Sequence, residues 1–345
     1  MGLGGEGLFY EGAHRACEAR AMLSFMLRRL AQLVPVLLVI IAVNFLLIHA
    51  APGDPVTYLL GEAPATQAYI DQLRAEYGLD KPLLLQLAIY VGRVLQGDLG
   101  YSFVSRESVA SILWSRFPAT LLLLGTQFVL AALLGILAGV VSAYRRGRAL
   151  DQAVSVLSLI GMAVPAFWLA QMMMLVFSLE LDWLPSQGMR SLRYDLTGLA
   201  AFLDLLQHLA LPALTLTIFN LALIARVTRA SMVGALGMDY VTFARSKGLP
   251  ERTVLWRHAL KNAVLPVITI IGLNIRTLIA GAVLTETVFA WPGIGRLTYD
   301  AILARDYPVL MGILLLIGLS VVIGNILTDL AYAWLDPRVR YGRTA

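Results

Sequence analysis

The residues best suited to do chemistry lie between positions 239 and 266, which read DYVTFARSKGLPERTVLWRHALKNAVLP. Arg245, Lys247, Arg252, Arg257 and Lys261 gather positive charge around two small residues, Ala244 and Ser246. The chemistry this offers is docking: a short helix enters a partner's groove, its small residues allow close approach, and its cations meet acids on the rim. The sequence predicts that this helix starts at Asp239, whose carboxylate can cap backbone N–H groups, and stops at Gly248 in the left-handed conformation. Leu249-Pro250-Glu251 predicts a second helix, with Pro in its first turn and Glu at the positive end of the dipole. A cationic hairpin lying on anionic lipid headgroups has the same composition, and the segment alone leaves both readings open.

A second candidate is Arg276, in Leu273-Asn274-Ile275-Arg276-Thr277, within an apolar run. An ionisable group inside a membrane is costly and faces protein or water. Arg276 therefore either lines a translocation path and attracts a carboxylate, or pairs with Asp329 or Glu286, or snorkels to an interface. Asn44, Gln127 and Asn220 suit interhelical hydrogen bonds. Catalytic chemistry lacks its residues. There is no Gly-x-x-x-x-Gly-Lys-Ser/Thr phosphate loop and no His-Glu-x-x-His helix. His14, His49, His208 and His258 are too scattered for a metal cluster. No serine has a nearby base, and Cys17, the one cysteine, cannot form an intrachain disulfide. The sequence thus predicts no enzyme, no metal and no ATP bound by this chain.

The elements that must position these residues are membrane helices. With 59% apolar and 14% charged residues over 345 positions, the composition is that of a polytopic membrane protein. Runs of roughly 20 residues, long enough to cross the hydrocarbon core, fall near 30–48, 121–141, 154–177, 209–225, 264–283 and 309–330. Lys and Arg collect at Arg28-Arg29, Arg145 to Arg148, Arg226 to Lys261 and Arg338 to Arg343, while acids fill the alternate loops. The positive-inside rule then predicts that both termini and the basic insert are cytoplasmic. The net charge of +5 follows from this topology and gives no support for nucleic-acid binding. Residues 1–21, Gly-rich with Glu6, Glu11 and Glu18, do not form a signal peptide and are expected to be a tail outside the permease domain, 22–345.

The loops carry further motifs. An external segment, 51–118, holds the turn clusters Pro52-Gly53-Asp54-Pro55, Gly78-Leu79-Asp80-Lys81-Pro82 and Gly97-Asp98-Leu99-Gly100-Tyr101-Ser102, with short helices expected from about 66 to 77 and from 82 to about 97. After the fifth run comes Leu284-Thr285-Glu286-Thr287-Val288-Phe289-Ala290-Trp291-Pro292-Gly293-Ile294-Gly295-Arg296-Leu297, then Arg305-Asp306-Tyr307-Pro308. Phe289 and Trp291 suit an aromatic belt in lipid, with gating as the other role for Trp291.

Taken together, these motifs resemble the permease subunits of ATP-binding-cassette importers, in particular the peptide-permease branch. Its coupling motif matches at Asp239-Tyr240, Ala244-Arg245-Ser246-Lys247-Gly248-Leu249 and His258-Ala259-Leu260-Lys261-Asn262-Ala263 followed by Pro266. Where the general importer pattern has Glu-Ala-Ala, this chain has Thr242-Phe243-Ala244.

The resemblance implies an all-α polytopic membrane protein with six transmembrane helices, in the type I ABC-importer permease fold, with a cytoplasmic coupling helix in a loop spanning 226–263. It implies a non-catalytic subunit that moves di- or oligopeptides across a bacterial or archaeal cytoplasmic (inner) membrane. The partners it implies are a second homologous permease, two cytoplasmic ATPases that bind ATP and Mg, an extracytoplasmic substrate-binding protein, the peptide and membrane lipid. Coupling would fall to Asp239, Tyr240, Ala244, Arg245, Lys247, Gly248 and Arg257. Ala244 and Gly248 would let the helix sit deep, Tyr240 would pack at the rim, and the cations would pair with partner acids. The candidate path residues are Asn274, Arg276, Glu286 and Trp291. The alternative is an ion-coupled secondary transporter, which calls for inverted repeats and midplane coupling residues and leaves the basic insert without a role. Dipeptides, longer peptides, glutathione and chelated nickel are all carried in this branch, so the resemblance does not choose a substrate.

Overall fold

Inside a bilayer a chain must satisfy its backbone polar groups internally, as helices do. The computed structural model describes residues 35–46, 66–68, 70, 71, 75, 80–102 and 104–335, with the backbone alone for 272–281, 327 and 329–335. Expectations for the tail, the Pro52-Gly53-Asp54-Pro55 turn, Gly78, the side chains of Asn274, Arg276 and Asp329, and the C-terminal arginines lie outside the described residues. The described elements are helices, plus an isolated bridge between Tyr101 and Ser108.

In chain order these are α1 (Pro35–Leu46), α2 (Leu83–Leu95), α3 (Val109–Tyr144), α4 (Ala149–Ala163) and α5 (Ala166–Met174), the last prolonged by a π-helical turn, Leu175–Glu180. There follow α6 (Gly198–Leu236), α7 (Asp239–Ser246) and α8 (Glu251–Thr253), which runs through a π-helical turn, Val254–Ala259, into α9 (Leu260–Val288); α10 (Ile294–Ala304) and α11 (Tyr307–Leu335) are the last elements among the described residues. Among the described residues, four helices are long and apolar enough to cross a membrane, and the bent pair α4 and α5 can supply a fifth crossing.

The helices outrun the apolar stretches that announced them. The 36 residues of α3 and 39 of α6 extend to about 54 and 59 Å at 1.5 Å per residue, well beyond the roughly 30 Å of a hydrocarbon core. The end of the expected external segment, from 109, therefore belongs to α3, and the start of the expected coupling loop, 226–236, belongs to α6. The stretch 154–177, expected as one span, is broken, its halves meeting at 101°. Val164 is extended there (φ −77°, ψ 125°), because the ring of the following Pro165 clashes with a helical predecessor. Pro118, Pro212 and Pro266 are accommodated inside α3, α6 and α9.

Helices α3 and α6 cross closely at glycines. A Cβ on Gly139 would lie 2.5 Å from Thr228 Cβ and 2.7 Å from the Ala225 carbonyl oxygen, and one on Gly135 would lie 2.8 Å from Ile224. Small residues bring membrane helices together in this way. Beside the crossing, the Asn220 amide donates to Gln127 Oε1 at 3.1 Å, forming the interhelical hydrogen bond expected of these residues. At the acidic end, the Gly97–Ser102 cluster docks on the α10–α11 turn: Ser102 Oγ donates to Asp306, and both are buried. A separate cluster at the basic end joins α3, α6, α7 and the start of α9.

Candidate functional site

The short basic helix forms where the spacing placed it. α7 covers Asp239–Ser246, and Gly248 adopts φ +73° beyond its end, a conformation open to glycine at little cost. The N-cap is Met238 rather than Asp239, and no side chain caps the helix. Asp239 instead occupies the first turn, where its charge still complements the dipole.

The two faces of α7 are sharply unequal. Val241 (0% exposed) and Ala244 (4%) pack with Val140, Met232, Val254 and Ala259. Ala244 is therefore committed to this chain's own interior, which corrects its expected role as the small residue inside a partner's groove. The outward face carries Tyr240 (38% exposed), Phe243 (60%) and Lys247, at the i, i+3, i+7 spacing of one helical stripe. The Lys247 ammonium lies 4.4 Å from the Phe243 ring centroid, a cation–π distance. Phe243, part of the departure from the general importer pattern, is thus the most prominent apolar group on this surface.

Arg245 is not held out toward a partner either. It bridges to Glu251 through two hydrogen bonds, 2.6 and 3.3 Å, fastening α7 to the next helix, and the neighbouring carboxylate pushes the guanidinium pKa up. Arg257 is exposed on the π-helical turn that backs α7 and joins no ion pair among the described residues. Among the described residues of 239–266, the exposed cations that join no ion pair are Lys247, which sits over the Phe243 ring, Arg252, Arg257 and Lys261.

At the same end of the bundle is an ion pair, half-buried on the Arg229 side, that the sequence did not announce. Asp151, in the first turn of α4, accepts from Arg229 Nε and Nη2 at 2.5 and 2.9 Å, from Ser142 Oγ at 2.5 Å and from the Gly147 N–H at 2.9 Å. A single carboxylate thus ties the end of α3, the intervening turn, α4 and α6 together. The signal available was an Asp at a helix start just after Arg145-Arg146-Gly147-Arg148; its partner 78 positions away carried none.

At the opposite end, Glu286 and Trp291 prove to be internal. Glu286 is fully buried, accepting from Thr120 Oγ1 at 2.7 Å and from the Arg296 N–H at 3.1 Å, at the start of α10. Trp291 is fully buried too, its indole N–H donating to the Ala119 carbonyl at 2.9 Å, and Phe289 packs against Ala170 and Leu211. Neither aromatic ring faces lipid, and neither Glu286 nor Trp291 faces an aqueous surface of this chain. The turn through Ala290 (φ +48°) folds the rings inward, where burial of their large apolar area outweighs an interfacial position. Of the expected path residues, Asn274 and Arg276 are described by backbone alone, on α9.

Comparison with known proteins agrees with this architecture. A family described as binding-protein-dependent transport system inner membrane component matches residues 131–341, and the family of the N-terminal part of such membrane components matches 22–124. The chain is 42% identical over 336 residues to the Di/tripeptide transport system permease protein DppB of Pseudomonas aeruginosa, covering 93% of this chain and 100% of that one. It is 41% identical over 337 residues to the Dipeptide transport system permease protein DppB of Escherichia coli K12 (93% and 99%), and 38% over 321 residues to the Oligopeptide transport system permease protein AppB of Bacillus subtilis (93% and 100%). Among solved structures it is similar in fold to the MetNI methionine ABC transporter in inward-facing conformations, with a TM-score of 0.52 and 17% identity over 65% of this chain and 96% of that one.

Proposed function

The chain belongs to the inner membrane components of binding-protein-dependent transport systems, and from that premise we propose that it forms half of a path for di- or oligopeptides, driven by ATPases that dock on α7. A second homologous permease supplies the other half, and a binding protein outside the membrane delivers substrate. Two ATPase subunits bind ATP and Mg, and this chain is a non-catalytic subunit with no cofactor of its own. Six crossings, with both termini and α7 in the cytoplasm, fit the basic end carrying the docking face.

The observation that carries this reading is the two-faced packing of α7. Its inner face is continuous with the ends of α3, α6 and α9, while its outer face presents Tyr240, Phe243 and Lys247. A displacement applied to the outer face therefore reaches three long helices through packed side chains, and the bonds of Asp151 carry it on to α4. Such coupling converts ATPase closure into rocking of the bundle, the rigid-body logic of alternating access. Asn274 and Arg276 remain the candidates for contact with the peptide, Arg276 attracting its carboxylate. Replacing Arg276 by Gln should lower uptake while leaving the assembled complex stable; unchanged uptake removes that role.

The function itself is tested by uptake of labelled di- and oligopeptides in cells carrying the complete importer. Uptake should fail on ATP depletion and survive an uncoupler of the proton gradient. The reverse pattern would identify an ion-coupled secondary transporter and refute the reading.

A further inference from the structure

A cleft of about 190 Å³ opens between α4 and α6, next to the Asp151–Arg229 pair. Ser155 and Ser158 line it from α4 and Arg226 and Arg229 from α6, while Val154 and Leu159 supply apolar wall. The residues are those of an anion site: two guanidinium groups, two hydroxyls and no acid among the lining residues. Arg229 is engaged by Asp151, itself saturated by its partners on α3, the turn and α6. Arg226, one helical turn earlier on the same side, is exposed and joins no ion pair among the described residues. The adjoining turn adds Arg145, Arg146 and Arg148, all exposed.

What distinguishes this cleft from a site for a soluble anion is its apolar continuation. Val156, Leu157, Leu159 and Ile160 of α4 are each more than half exposed, forming a strip that leads from the cationic cleft along the helix. A ligand complementary to both parts has a phosphate at one end and hydrocarbon at the other. Basic pockets between membrane helices on the cytoplasmic side have this character, and they favour anionic headgroups.

We infer that the α4–α6 cleft binds the headgroup phosphate of an acidic phospholipid of the cytoplasmic leaflet, with Arg226 as its principal cation, Ser155 and Ser158 as donors, and the acyl chains along the exposed strip of α4. The placement in that leaflet rests on the orientation proposed above. Because Asp151 and Arg229 also join α3, α4 and α6, an occupied cleft braces the same helices that α7 moves.

The test is lipid retention by the complete importer complex, purified in mild detergent from membranes containing phosphatidylethanolamine, phosphatidylglycerol and cardiolipin, with bound lipid measured per copy by extraction and by native mass spectrometry. This readout is independent of uptake, so loss of transport and loss of lipid are distinguishable. Wild-type complex should retain acidic lipid, Arg226→Gln should retain about fivefold less, as expected for one basic residue at a membrane surface, and Arg226→Lys should restore most of it. Ser155→Leu, which fills the cleft without changing charge, should reduce retention similarly. Lys261→Gln, which removes an exposed cation elsewhere at the basic end, should leave retention unchanged. Wild-type complex without acidic lipid, wild-type retention in both Arg226→Gln and Ser155→Leu, or an equal loss in Lys261→Gln would overturn the assignment. So would displacement of the lipid by millimolar inorganic phosphate or glycerol 3-phosphate, which would make the site one for a soluble anion.

Discussion

The buried junction between Gly293 and Glu286 makes a prediction whose magnitude follows from distances. Gly293 has φ −102°, which alanine adopts freely, so Gly293→Ala introduces a purely steric problem. Its Cβ would lie 2.3 Å from Glu286 Oε2 and 2.4 Å from Cδ and Oε1. The carboxyl group must move by about 1 Å or more to restore ordinary contact. That movement breaks its bonds with Thr120 Oγ1 (2.7 Å) and the Arg296 N–H (3.1 Å). Two lost hydrogen bonds, at least one leaving a buried group unsatisfied, cost about 3–5 kcal/mol. Glu286→Ala loses the same bonds and leaves a void, for a similar cost of about 3–4 kcal/mol. In the double variant the new methyl group enters space that Glu286 has vacated, so it should be within about 1 kcal/mol of Glu286→Ala alone, a coupling of about 3 kcal/mol between neighbours. Reversible unfolding of the purified chain in mixed micelles, followed by tryptophan fluorescence, gives all three values. Strict additivity would refute the claim that Gly293 is glycine to make room for this carboxyl group.

Two further outcomes concern the helices between the ends. Asp151→Ala leaves Arg229, Ser142 Oγ and the Gly147 N–H without their shared acceptor and should destabilise the chain by about 3 kcal/mol, the low end for a broken buried pair because Arg229 is one-third exposed and can rehydrate; a loss under 1 kcal/mol in the same unfolding assay would show that the pair does not hold α4 to α6. Gly139→Ala drives a methyl group into Thr228 and the Ala225 carbonyl and should cost about 1–3 kcal/mol as overpacking, whereas Gly125→Ala, with open space at its Cβ, should be stable under the same measurement.

The sequence made the all-α membrane class and the short basic helix legible because both are written locally. A run of apolar residues reports the lipid around it, and Pro250 and Gly248 punctuate the chain on either side of the turn after α7. Helix ends were less legible, since hydropathy reports the bilayer while α3 and α6 continue past it, held by packing. The break at Val164 had a local signal, Pro165, but Pro118, Pro212 and Pro266 carry the same signal inside unbroken helices, so neighbours rather than the residue decide. Pairings were not legible at all. Asp151 with Arg229, Ser102 with Asp306 and Thr120 with Glu286 join positions 78 to 204 apart, and nothing in their spacing marks them. The inward turn of Ala244 belongs with these: its smallness suits a partner's groove and the chain's own core equally, and only the positions of Val140, Met232 and Val254 decide between them.

The division of labour between Phe243 and Ala244 is measured most directly as peptide taken up per ATP hydrolysed in proteoliposomes holding the complete importer, alongside the unfolding stability of this chain. Phe243→Ala removes an exposed ring and should leave stability unchanged while lowering coupled uptake about tenfold, the loss typical of an aromatic anchor at an interface. Ala244→Leu should instead destabilise the chain by about 1–3 kcal/mol through overpacking of the cluster behind α7. Normal coupling in Phe243→Ala, or full stability in Ala244→Leu, would contradict the assignment of α7 as a helix with one face in the bundle and the other on the motor.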